Sequence, residues 1–183
     1  MARKDRLPIT LRFCRLVISM GGLLIAVGAG PHAEGRPPGN WPRLQVPDPV
    51  GSHIARTALD MAWERLARTD CAEILNTFMD RSGHPLDERL RTLAVDRQTY
   101  LTLIFFVDGS REVPCIKGSF AFTTPGSRVV RICVEEFKRT WQNNPENVVS
   151  RIIHEMLHTL GLGEDPPSSA EITRRVDVSC GRR

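Results

Sequence analysis

Apolar residues first recur at helical spacing from Ser52, where Ile54, Ala55, Ala58, Leu59, Ala62 and Leu66 share one face and predict a helix. A second helix is expected from Asp70. There Asp70 and Glu73 stand as a capping-box-like pair ahead of Ile74, Leu75 and Phe78, and residues 80–83 (DRSG) end it. A short helical stretch follows over 87–93. The pattern then changes. Residues 100–107 (YLTLIFFV) form a β-rich run closed by Asp108-Gly109, and segments 120–123 and 128–134 predict a hairpin around Thr124-Pro125-Gly126-Ser127. Asn144-Pro145 supplies an N-cap and an N1 proline for a helix reaching Leu160, which Gly161 stops. Ser168 and Glu171 open a short last helix over 172–176. Helices, a small and mostly antiparallel sheet, and a helix near the C-terminus predict a single α+β domain over 51–183. Trp63 and Trp141 read as core residues.

Two segments precede that domain. Residues 1–33 carry five basic residues up to Arg15, a 14-residue apolar run at 16–29, and small residues at Val27-Gly28-Ala29 and Ala33. These are the parts of a secretory signal peptide, and the run is shorter than the roughly 20 residues of a membrane span. Residues 34–50 hold five prolines and read as an extended lead-in. The leader also accounts for the net charge of +4, since the rest of the chain has 20 basic and 20 acidic residues. No basic stripe remains for a nucleic-acid backbone. Export places the chain in the periplasm or the medium, and no stable membrane span is expected after cleavage.

Removing the leader removes Cys14 and leaves Cys71, Cys115, Cys133 and Cys180, an even set that predicts two disulfides. Three connectivities are possible. The expected hairpin between Cys115 and Cys133 favours joining those two, which leaves Cys71 with Cys180.

The chemistry-bearing residues lie in the helix that starts at Asn144. His154 and His158 are one turn apart on one face, so neutral imidazoles from both can bind one ion. Glu155, about 100° round the helix from His154, can face water at that ion without ligating it. Ile152, Ile153, Met156, Leu157 and Leu160 supply a buried face that would hold the rings still. This His-Glu-x-x-His pattern resembles the zincin superfamily of zinc metallopeptidases. Its extension, His154-Glu-x-x-His158-x-x-Gly161-x-x-Glu164, has the spacing of the metzincin motif, with a glutamate where metzincins have histidine. The chain has no methionine after Met156, so the metzincin Met-turn is missing.

The resemblance implies a zincin-like fold with Zn²⁺ bound by His154, His158 and a third ligand, and Glu155 as the catalytic general base. Glu164 has the motif's spacing. Glu171 is its rival, because gluzincins take a glutamate from a later helix, although Glu171 also suits a helix cap. Asp165 suits an acceptor for an imidazole N–H. The implied activity is hydrolysis of peptide or protein substrates, as an endopeptidase rather than an exopeptidase, by a monomer, with a β-strand aligning the extended substrate.

Other candidates are plainer. His53 and His84 stand alone and are expected at the surface. Tyr100 is the only tyrosine and is expected to pack at the start of a strand rather than stabilise an oxyanion. A nucleophile pairing Cys115 or Cys133 with His154 is disfavoured by the expected disulfides. The alternatives to an enzyme are an exported disulfide-stabilised module whose metal only holds the fold together, or one with no metal.

Overall fold

The computed structural model describes residues 41–181, so the leader lies outside the described residues. The elements run β1 (Arg43–Gln45), α1 (Pro49–Leu66), α2 (Thr69–Thr77), α3 (Leu86–Leu93), α4 (Arg97–Thr102), β2 (Phe105–Asp108) and α5 (Val113–Ile116). They continue with β3 (Ala121–Phe122), β4 (Val129–Ile132), α6 (Val134–Asn143), α7 (Pro145–Thr159) and α8 (Ser169–Cys180). Eight helices and one four-stranded mixed sheet make this an α+β fold. No helix among the described residues is long and apolar enough to cross a membrane.

The sheet differs from its expected, mostly antiparallel form. Its strand order is β1-β2-β4-β3; β1 pairs with β2 and β2 with β4 in parallel, and only the β3–β4 hairpin is antiparallel. Parallel neighbours need a crossover, which α1 to α4 supply between β1 and β2. The first strand comes from the proline-rich lead-in. Pro42 and Pro47 flank Arg43–Gln45, and an edge strand tolerates prolines at its ends. The same segment starts α1 ahead of Ser52, because the Asp48 side chain accepts from the Gly51 N–H and Pro49 takes the first helical position.

Other boundaries also differ from expectation. Residues 100–103 are not strand. The Asp96 side chain accepts from the Thr99 N–H at 2.6 Å and starts α4, which Arg97 ties to the end of α1 through the carbonyls of Leu66 and Ala67. Asp70 does not cap α2; it pairs with Arg68 at 2.9 Å, and α2 starts without a side-chain cap. Helix α6 was not expected, and α8 extends beyond 172–176 at both ends.

Helix α1 packs against both α6 and α7. Its buried Ala55, Ala58 and Ala62 allow close approach to a neighbour, and α7 buries Val148, Val149, Ile152, Ile153 and Met156 in the same core. Trp63 and Trp141 pack partly buried against that core. Arg65, buried near the end of α1, pairs with Glu146 in the first turn of α7. The disulfides are Cys115–Cys133 and Cys71–Cys180, and the second joins α2 to the end of α8. The Arg68 guanidinium reinforces this junction, donating to the Gly181 carbonyl at 2.9 Å.

Because Cys71–Cys180 spans 109 residues, replacing both cysteines by alanine is expected to lower unfolding free energy by about 2–5 kcal/mol in denaturant titrations. Unchanged stability would show that the crosslink does not constrain the unfolded chain.

Candidate metal centre

Helix α7 is set at both ends by local chemistry. The Asn144 side chain accepts from the Asn147 N–H at 3.3 Å, and Pro145 holds the first helical φ. At the other end Gly161 has φ +116°, a backbone conformation that L side chains rarely adopt, and its N–H donates to the His158 carbonyl at 2.9 Å. A β-carbon at 161 would also approach the Asp80 β-carbon to 3.1 Å. The same His158 carbonyl accepts from the Gly126 N–H at 2.9 Å, so the tip of the β3–β4 hairpin is tied to the end of α7. Tyr100 contributes from the core rather than from a cleft, its hydroxyl donating to the Thr159 carbonyl at 3.0 Å.

Between those ends the two imidazoles face each other. His154 Nε2 and His158 Nε2 are 2.9 Å apart, and Glu164 Oε1 lies 3.1 Å from the second and 3.5 Å from the first. Both rings are buried, while the Glu164 side chain is 51% exposed in the loop after α7. The far side of each ring has a hydrogen-bond partner. His158 Nδ1 is 2.8 Å from the Leu162 carbonyl, which can only accept, so Nδ1 carries the hydrogen and Nε2 the lone pair. His154 Nδ1 is 2.9 Å from the Thr173 hydroxyl on α8 and takes the same tautomer when it donates there.

Two ring nitrogens and a carboxylate oxygen therefore lie close together. Either the His154 Nε2–H donates to the His158 Nε2 lone pair, or a cation lies between the donors. A charged His154 imidazolium is a poor candidate, because burial, and after it the neighbouring His158, push His154 down to about 4 against the opposing pull of Glu164. The donor set fits a metal ion, and His154, His158 and Glu164 can hold one.

Glu155 borders this set without joining it. It is 8% exposed, and its Oε2 is buried with no hydrogen-bond partner. Burial first, and the charge of Glu164 second, push its carboxyl up to about 8, with Arg151 acting in the opposite direction. An unsatisfied buried oxygen costs roughly 1–3 kcal/mol, a cost that catalytic groups commonly carry. Glu155 and the three donors line a cleft of about 860 Å³. Strand β3 and helix α8 both pack on α7, and residues of each line the cleft: Phe120 to Thr123 on one side, Thr173 and Arg174 on the other.

Of the remaining candidates, none joins the site. Glu171 pairs with Arg175, and its N–H donates to the Ser168 hydroxyl at 3.3 Å, so it serves α8 and not the metal set. Asp165 is exposed, and the imidazole N–H groups face Thr173 and Leu162 instead. His53 and His84 are exposed and do not line the cleft. Cys115 and Cys133 are bonded to each other, which removes them as nucleophiles. Thr173 and the Leu162 carbonyl escaped the sequence reading, since only the docking of α8 and the turn at Gly161 bring them to the rings.

The shifted groups give metal-free protein a defined pH response. Glu155 has a higher pKa folded than unfolded, so its contribution to stability falls as pH rises from about 4.5 to about 8. His154 has a lower one, so its contribution falls as pH drops from about 6.5 to about 4. Above pH 6.5 only the Glu155 effect remains of the two. In chelator, unfolding free energy is expected to fall by about 2 kcal/mol between pH 6.5 and 8, and Glu155→Gln is expected to flatten that slope. A wild-type slope equal to that of the variant would contradict the burial of an ionisable Glu155.

No family model, curated protein or solved structure matches the chain.

Proposed function

We propose that the chain is an exported zinc-dependent metallopeptidase of the zincin type. The observation that carries this reading is the convergence of His154 Nε2, His158 Nε2 and Glu164 Oε1 beside Glu155, whose buried Oε2 has no hydrogen-bond partner among the described residues, within one cleft. Ligand atoms of a tetrahedral zinc at about 2.0–2.2 Å lie roughly 3.3–3.6 Å apart. The three separations of 2.9, 3.1 and 3.5 Å reach that range with shifts of a few tenths of an ångström. The alternative, a purely structural metal, is less well supported. Such sites usually close with four protein ligands, whereas three gather among the described residues.

Zinc bound there would supply a Lewis acid that brings the pKa of water from 15.7 to about 7. The chain's own residues supply the rest. Glu155 takes the proton of the attacking water on its carboxylate, and burial then favours the protonated form until the leaving amine removes it. Thr173 and the Leu162 carbonyl keep the imidazoles oriented, as outer partners of ligating histidines do. Strand β3 pairs with β4 on one side only and lines the cleft, so its other edge can align an extended peptide by main-chain hydrogen bonds. Export rests on the leader, and the two disulfides are compatible with an oxidising compartment.

Glu155→Gln is expected to leave metal content unchanged and to lower hydrolysis of an unfolded protein substrate by at least about 100-fold. Turnover equal to wild type in that variant would overturn the assigned mechanism.

A further inference from the structure

Six arginines outside the cleft pair with carboxylates: Arg65, Arg68, Arg91, Arg131, Arg139 and Arg175. Three others, Arg81, Arg151 and Arg174, line the cleft, and none of them pairs with a carboxylate among the described residues. Arg151 is the best placed. It lies one turn ahead of His154 and Glu155 on α7, which is about 4.5–6 Å along the helix axis. An extended peptide advances about 3.3 Å per residue. A group bound by Arg151 therefore belongs within two residues of a bond held at Glu155.

The Arg151 side chain is also held in place. Its Nε–H donates to Asn147 Oδ1 at 2.7 Å, and its guanidinium carbon stands 5.2 Å from the centre of the Phe120 ring, beside β3. Neither terminal Nη atom has a hydrogen-bond partner among the described residues. A planar fork anchored at its base and open at its tip suits a carboxylate, which it can grip through two parallel N–H bonds. Much of the ordering cost is met before a ligand arrives. Three acids line the same cleft: Glu155, Glu164 and Asp177. Glu164 belongs to the metal set, and Asp177, the other exposed acid lining it, lies on α8.

We propose that Arg151, in a cleft also lined by Arg174 and Arg81, forms a carboxylate-recognition subsite that selects peptides bearing a carboxylate within two residues of the scissile bond. The carboxylate comes from an acidic side chain or from the free chain terminus. The proposal rests on the peptidase reading for its substrate class, while the binding it describes stands apart from turnover.

The test uses fluorescently labelled hexapeptides in matched pairs, glutamate against glutamine at central positions and free against amidated C-terminus. Affinity is measured by anisotropy on the zinc-loaded Glu155→Gln chain, and kcat/KM on wild type. The carboxylate member of one pair is expected to bind roughly tenfold tighter than its twin. That ratio should shrink with added salt, fall to near one in an added Arg151→Gln, and survive in part in Arg151→Lys. The pair that discriminates identifies the source of the carboxylate. Equal affinities within both pairs, or no measurable binding at millimolar peptide, would overturn the subsite without any variant being needed. So would a ratio untouched by both Arg151→Gln and Arg174→Gln. Discrimination in binding without wild-type cleavage would support the subsite and overturn the peptidase reading. Equal cleavage of both twins would do the reverse.

Discussion

Two imidazole nitrogens held 2.9 Å apart on one helix face are the constraint on which the rest of the site depends. Left alone, rings so placed would rotate away or share a proton. Here rotation and a charged His154 imidazolium are both opposed. The Leu162 carbonyl and the Thr173 hydroxyl hold the outer edges of the rings, and burial resists the charge that a proton would bring to His154. The protein therefore holds two ring nitrogens and a carboxylate where they can bind a metal ion. This is the preorganisation expected of a ligand set built before its ion arrives.

Much of the fold serves to keep that geometry. Helix α7 is fixed at its start by the Asn144 cap and the Arg65–Glu146 pair, and at its end by Gly161, the Tyr100 hydroxyl and the hairpin tip at Gly126. Helix α8, which carries Thr173, is tied to α2 by Cys71–Cys180 and by Arg68. The crosslink far from the cleft thus bears on the orientation of His154. The cleft walls come from separate parts of the fold, β3 from the sheet and α8 from the C-terminal end, and each packs on α7.

The parts of this arrangement that depend on short-range chemistry were legible in the sequence. Asn144-Pro145 and Gly161 delimit α7, and the spacing of His154, Glu155 and His158 places them together. The hairpin turn at 124–127 pointed to Cys115–Cys133 and so to the second disulfide. Long-range features were hidden. Strand β1 sits between prolines, and nothing local reveals that it runs parallel to β2. At 100–103 the Asp96 cap outweighed the β propensity of the following residues, while in α6 the helical spacing of Val134, Phe137 and Trp141 was present but overlooked. Glu164 had the motif's spacing, and Glu171 a place on a later helix. The choice between them came from α8, where Arg175 and the Ser168 cap occupy Glu171.

The most direct test of the central claim is metal content. Purified chain without a histidine tag is incubated with zinc, dialysed against zinc-free buffer and analysed by plasma mass spectrometry, with circular dichroism on the same samples. The account predicts one zinc per chain, lost in His154→Ala and in His158→Ala while the helical signal persists. A fully folded wild-type chain that stays empty after excess zinc would contradict it.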